Sequence, residues 1–272
     1  MPEAQFPVIS VQVGSLASIA DRFDVFLLDA FGVLNVGNTA IPSALERVAT
    51  LQASGKKLLV LSNSATQPKG QTCAKLNQLG YNFSPQNIVT SRETLATALP
   101  PKRWGAMAAV GANFDDLPAQ VIRLGKAQSE FDTAEGFLLL STKNWTEEQQ
   151  EMLQTSLAQN PRPVWVANPD IVAPREDGLS LQPAYYAHQL KAPIFFGKPF
   201  VNIFEHAFQR LGTLDRSRVL MLGDTLHTDI LGAAAFGLKT ALVTEHGVYK
   251  GCDYHRLIKT SGIRPNYILP SL

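Results

Sequence analysis

Short apolar runs recur along the chain, each ending in a turn and followed by a segment whose apolar residues fall three and four positions apart. Val25-Phe26-Leu27-Leu28 is the first such run; its residues can all be buried, as in a central parallel strand, and it stops on Asp29. Pro42 then opens a stretch with Leu45, Val48 and Ala49 at helical spacing, stopped by Ser54-Gly55. A second run, Leu58 to Leu61, ends on Ser62-Asn63, and a second helical stretch from Lys69 to Leu79 carries Cys73, Leu76 and Leu79 on one stripe before Gly80. Strand, helix, strand, helix predicts a parallel sheet wound by right-handed crossovers. Sheets of this kind place their chemistry at the carboxyl ends of the strands.

Beyond about Thr90 the texture changes. Pro100-Pro101 breaks the chain, and new strand signals follow at Ala106 to Val110, Gly136 to Leu140 and Val164 to Ala167. Among them lies a helix whose start reads as a capping box, Thr146 with Gln149, running to about Gln159. Strand signals resume at Ile194 to Phe196, a helix follows near Val201 to Leu211, and another strand ends at Leu222. A helix near Asp229 to Phe236, closed by Gly237, and a strand from Thr240 to Val243 then complete the first sheet. The expected architecture is α/β, a doubly wound parallel sheet with a second α/β domain inserted in it: residues 1–87 and 191–272 form the core, 88–190 the insert.

Composition narrows the function. With 272 residues there is material for two ordinary domains, and Lys+Arg 24 against Asp+Glu 23 leaves no basic stripe to neutralise a nucleic-acid backbone. No run of about 18 apolar residues could span a membrane, and the segment from Met1 to Ile19 lacks a basic start and an apolar core. Cys73 and Cys252 are too few for a disulfide framework and form no metal-ligand pattern, which suits a reducing cytoplasm.

Four strand-end loops carry complementary groups: Asp29, Ser62 with Asn63, Lys198 in Gly197-Lys198-Pro199, and Asp224 with Asp229. Carboxylates are ligands that Mg²⁺ prefers beside a substrate phosphate. Ser62 can donate a hydroxyl to a phosphate oxygen, Lys198 can offset charge, and Asp29 can attack phosphorus. In this order the motifs resemble those of the haloacid dehalogenase superfamily of phosphohydrolases. Ser62 follows Asp29 by only 33 positions, whereas Lys198 follows Ser62 by 136, so the inserted lid comes after the second motif. That placement, together with Val166-Ala167-Asn168-Pro169-Asp170, resembles the subclass of NagD-type sugar phosphatases and of pyridoxal-phosphate and phosphoglycolate phosphatases.

The resemblance implies Asp29 as nucleophile, Lys198 as its charge partner, and Ser62 and Asn63 as phosphate binders. It implies a Mg²⁺ ion held by Asp29, Asp224 and the backbone carbonyl of Phe31, with Asp229 supporting the coordination shell. The substrate would be a small phosphorylated metabolite, and lids of this subclass imply a homodimer. One position departs from the pattern. Where the phosphatases carry a second aspartate that protonates the leaving group, this chain has Phe31. General acid–base help is typically worth ~10²–10⁴-fold, so its loss needs an account. Three remain open: a leaving group that needs no proton, a proton from His227 or from the lid, or a slow enzyme or phosphate-ligand binder. Asp29-Ala30-Phe31-Gly32 also resembles the first motif of the dehalogenases themselves, although their lid lies elsewhere and they use no metal. Arg92, Arg175 and Asp170 are further candidates to reach a substrate from the lid or its hinge.

Overall fold

The computed structural model describes residues 2–175, 178–212 and 215–272. Its first sheet has seven strands in the order Val11–Gln12, Tyr267–Leu269, Lys239–Val243, Val219–Gly223, Val25–Leu28, Lys57–Ser62 and Ile88–Thr90. Every pairing in it is parallel. Alternation along each strand feeds two separate cores: Phe26, Leu28, Leu58, Val60, Leu220 and Leu222 pack on one face. Val25, Leu27, Leu59, Leu61, Val219 and Met221 pack on the other. Helices Pro42–Ala53 and Lys69–Gln78 cover the first face through Ala44, Val48, Leu51, Cys73 and Leu76. Helix Val201–Leu211 covers the second through Ile203, Phe204 and Ala207. Each buried side chain of this size contributes about 1.5–3 kcal/mol relative to exposure.

The second sheet is five-stranded and also parallel, in the order Ile194–Phe195, Val164–Val166, Gly136–Leu139, Arg103–Met107 and Gln120–Arg123. It has two faces of its own, one built around Trp104, Ala106 and Leu138, the other around Met107, Phe137 and Leu139. Helix Glu147–Gln159 begins with the expected capping box, in which Thr146 and Gln149 exchange side-chain and backbone hydrogen bonds. An antiparallel hairpin, Val172–Arg175 with Gly178–Leu181, extends from this cap. The architecture is therefore a wound core with an α/β cap inserted between two of its strands.

Strand membership departs from the expected domain limits at both crossings. Ile88–Thr90, which lies past residue 87, is an edge strand of the core sheet, held by pairing with Val60 to Ser62. Ile194–Phe195, which lies past residue 190, is an edge strand of the cap, held by pairing with Trp165 and Val166. The strand expected at Ala106 to Val110 runs instead from Arg103 to Met107, where Trp104 finds a fully buried slot. The helix expected from Asp229 divides into a π-helical turn, Leu226–Ile230, and a short helix, Leu231–Ala235.

Candidate active site

The strands Val219–Gly223, Val25–Leu28 and Lys57–Ser62 lie side by side in that order, so their carboxyl ends set Asp224, Asp29 and Ser62 along one edge of the sheet. The chain leaves Val25–Leu28 toward one side and returns on the other, the switch point at which wound sheets open a crevice. The backbone N–H of Asp29 still donates to the Leu222 carbonyl at 2.9 Å, which fixes the residue one step beyond its strand. The turn that follows depends on Gly32, whose φ is +74°. A Cβ there would stand 2.6 Å from Asp224 Oδ2 and 2.7 Å from the Gly247 backbone.

Lys198 arrives from the loop between the last cap strand and helix Val201–Leu211. Its Nζ donates to Asp29 Oδ1 and to Asp229 Oδ1, both at 2.6 Å, and the side chain is 2% exposed. Burial alone would lower the ammonium's pKa; the Asp229 and Asp29 carboxylates reverse this and hold it above the ordinary lysine range. The loop is shaped by Gly197 at φ +112°, where a Cβ would stand 2.6 Å from Asn63 Oδ1 and 2.8 Å from Ser91 Cβ. Asp224 accepts from the Val248 N–H at 2.8 Å and from the Thr225 hydroxyl at 2.9 Å.

One carboxylate oxygen each from Asp29, Asp224 and Asp229 lie within 4.8 Å of one another. A single ammonium cannot balance three carboxylates in a buried place. Burial first, and then the charge of Asp29, push the Asp224 carboxyl up to about 7. A hard divalent cation would relieve that crowding, and all-oxygen donors of this kind fit Mg²⁺.

Two of the candidate side chains, those of Asp229 and Asn63, are engaged within the protein itself. Asp229 belongs to the cluster, but its Oδ1 accepts from Lys198 and its Oδ2 from the Thr225 N–H at 3.1 Å, because the π-helical turn swings it inward beneath the lysine. It steadies Lys198 before it can serve a cation. The Asn63 side chain is likewise engaged. Its Nδ2 donates to the Lys198 carbonyl at 2.9 Å and to Asp170 Oδ1 at 3.0 Å, while its Oδ1 accepts from the Lys198 N–H at 2.8 Å. A phosphate contact from Asn63 would therefore be through its backbone N–H. Ser62 lines the cleft with its hydroxyl 3.3 Å from the Ser64 N–H.

The cleft between core and cap encloses about 620 Å³, a size suited to a small metabolite. Asp29, Phe31, Ser62, Lys198 and Asp224 line its core side. Asp170, Ile171 and Phe195 line the cap side, and the Phe195 and Phe200 rings stack 5.2 Å apart. Two candidates from the hinge divide. Asp170 faces this cleft, whereas Arg92 does not: it is fully buried, with Nε and Nη2 donating to the Asp116 carboxylate at 2.9 and 2.6 Å. Arg92 also donates to the carbonyls of Asn113, Ala65 and Thr66, which ties the cap to the loop after Asn63. The Arg175 side chain lies outside the described residues.

Two family profiles match the chain, haloacid dehalogenase-like hydrolase over residues 26–116 and a further HAD-hydrolase-like profile over 195–272. An acid sugar phosphatase of Staphylococcus aureus is 24% identical over 258 residues, 92% of this chain and 96% of that protein. A possible sugar phosphatase from Cytophaga hutchinsonii has a similar structure, with a TM-score of 0.83 at 24% identity, covering 96% of this chain and 98% of the other. NagD from Escherichia coli K-12 superposes with a TM-score of 0.72 at 21% identity, over 92% and 96% of the two chains. At these identities the structural likenesses speak to the fold. With both profiles falling on the segments that carry Asp29, Ser62, Lys198 and Asp224, and a cap that follows the Ser62 loop as its fold neighbours share, the chain belongs to the haloacid dehalogenase-like hydrolases.

Proposed function

We propose that this protein is a Mg²⁺-dependent hydrolase of small phosphate monoesters that works through an aspartyl phosphate on Asp29. The observation that carries the reading is the Lys198 ammonium shared between Asp29 and Asp229 at 2.6 Å, next to the Asp224 carboxylate. The lysine aims Asp29 through its 2.6 Å hydrogen bond while adding positive charge where a phosphoryl group would sit. Asp29 and Asp224 with the Phe31 carbonyl would hold Mg²⁺, which when bound supplies the charge that lets a dianionic ester approach a carboxylate. Ser62 donates its hydroxyl to a phosphate oxygen. Asp29 attacks phosphorus, the bond to the leaving oxygen breaks, and water then cleaves the acyl phosphate to free inorganic phosphate and Asp29. The sugar phosphatase names of the relatives agree with a polar phosphorylated metabolite as substrate. Free thiols at Cys73 and Cys252 agree with a reducing, cytoplasmic setting.

Phe31 favours a second reading, a phosphate-ligand binder whose turnover is impaired. Phosphate release from a panel of esters, with Mg²⁺ or with EDTA, separates the two. The hydrolase reading expects Mg²⁺-dependent release that Asp29→Asn lowers by about 10⁴-fold or more, as loss of a nucleophile does. No release by the wild-type protein, with activity appearing in Phe31→Asp, establishes the binder.

A further inference from the structure

Phe31 lines the cleft where a proton donor is needed, and its ring can neither give nor take a proton. Of the other described titratable groups around the cleft, Asp29, Lys198 and Asp224 are committed to one another and to the phosphoryl position. His188 and His227 also line it, yet no hydrogen bond among the described residues holds either ring; His188 only packs against Phe195. Tyr249 lines it too, but its hydroxyl accepts from the Leu226 N–H at 3.3 Å and burial pushes its pKa above the ordinary tyrosine range, away from a ready exchange of protons. Asp170 is different. Its backbone is fixed on both sides, its N–H donating to Asn168 Oδ1 at 3.0 Å and its carbonyl accepting from the Ala184 N–H. Its carboxyl is fixed on one side only, where Asn63 Nδ2 donates to Oδ1 at 3.0 Å. The second oxygen has no hydrogen-bond partner among the described residues, and the side chain stays partly open to the cleft.

Resting on the hydrolase reading above, we infer that Asp170, carried by the cap, is the general acid and base of this protein, in place of the side chain missing at Phe31. Asn63 is the link that makes this geometry specific. The same amide group that grips the Lys198 backbone from two sides also grips Asp170, so the nucleophile's partner and the proton donor are set from one point. In the first step Asp29 forms its bond to phosphorus, the ester P–O bond breaks, and the leaving oxygen takes the proton from Asp170, which becomes a carboxylate. In the second, that carboxylate removes a proton from the water attacking the aspartyl phosphate, the Asp29–phosphorus bond breaks, and both residues return to their starting forms. The electrostatics agree with a donor. Burial raises the Asp170 pKa and Asp29 adds to this, against the Asn63 hydrogen bond and Lys198, leaving it at about 6. A carboxyl raised in this way holds its proton below that pH and loses it above, so donation fades as pH rises through about 6.

The test uses the intact protein and two substrates: p-nitrophenyl phosphate, whose phenolate leaves without help, and glucose 6-phosphate, whose alkoxide needs a proton. Asp170→Asn is expected to lower kcat on the sugar ester by about 10²–10³-fold, to change the aryl ester by less than 10-fold, and to remove the decline above pH 6. Phe31→Asp in the Asp170→Asn background is expected to restore the sugar ester. Equal losses on both esters mean that Asp170 only holds the cap in place, and no loss on either means that it is a bystander; both outcomes overturn the assignment. Carboxyl ¹³C NMR gives a readout free of turnover: a midpoint near 6 for Asp170 supports it, one below 4 overturns it. Asp29→Asn separates the underlying reading, since retained turnover in that variant removes the aspartyl-phosphate pathway whatever Asp170 does.

Discussion

The two walls of the cleft are held by different means. On the core wall, ladder hydrogen bonds carry Asp29 to its place, and Lys198, Asp229 and Thr225 lock the carboxylates together in a nearly solvent-free cluster. On the cap wall, Asp170 stands in the loop between strand Val164–Val166 and the hairpin, and its carboxyl meets the core through a single amide, that of Asn63. A fixed wall suits the atoms that must line up with phosphorus; a wall that can withdraw suits the choice of substrate and the exclusion of water. The difference teaches that electrostatic force is concentrated on one side of the active site, while the Asp170 carboxyl on the other is joined to it by one side-chain hydrogen bond.

Breaking the core wall should have the largest effect. Lys198→Ala leaves Asp29, Asp229 and Asp224 crowded without their ammonium, and we expect kcat to fall about 10²–10³-fold. Stability in urea should fall by about 3–5 kcal/mol, the usual loss when one partner of a buried ion pair is removed. An unchanged urea midpoint would show that the cluster is solvated and the contrast between the walls is false. Cutting the cap's tether is the next step. Arg92→Ala abandons the Asp116 carboxylate and three carbonyls, and should cost about 2–3 kcal/mol. Because Arg92 touches no reacting atom, KM should rise by about 10-fold while kcat on p-nitrophenyl phosphate changes little. A fall in kcat alone would place Arg92 on the catalytic side instead. The smallest effect comes from Thr146→Ala, far from the cleft, which removes a helix cap worth about 1 kcal/mol and should leave turnover of both esters unaltered.

Much of the core wall was legible before any coordinates. A run such as Val25 to Leu28 can be read as a buried strand because every residue in it is apolar, and a carboxylate at its end then has one place to go. Asp29, Ser62, Lys198 and Asp224 converge as their strand-end positions require. The capping box at Thr146 was visible because its chemistry is local. What pattern could not show was partnership. Ile88–Thr90 and Ile194–Phe195 are two or three residues long, and nothing within such a segment states which sheet will pair with it. Strand Gln120–Arg123 and the hairpin Val172–Arg175 with Gly178–Leu181 carry mixed polar sequence, so neither offers a clear period. The work of Asp229 and of the Asn63 amide is set by the Gly197-Lys198 loop 135 residues away from Asn63, a contact no local spacing encodes. Asp170 could be named only as a charge near a hinge, because its value comes from a neighbour that the chain reaches across the cap.

The cap's insertion has a consequence for synthesis. Strand Val25–Leu28 gains one neighbour, Lys57–Ser62, early, but its other neighbour is Val219–Gly223, so a nascent chain carries an open sheet edge until the whole cap has been made and the chain has reached Gly223. Such distant pairing slows folding and leaves a sticky edge exposed on the ribosome, where the cap, whose strands are nearer in order, can collapse first. Asp29 thus meets Lys198 and Asp224 only after the cap that separates them in sequence has been made, so the cap can fold before the carboxylate cluster assembles.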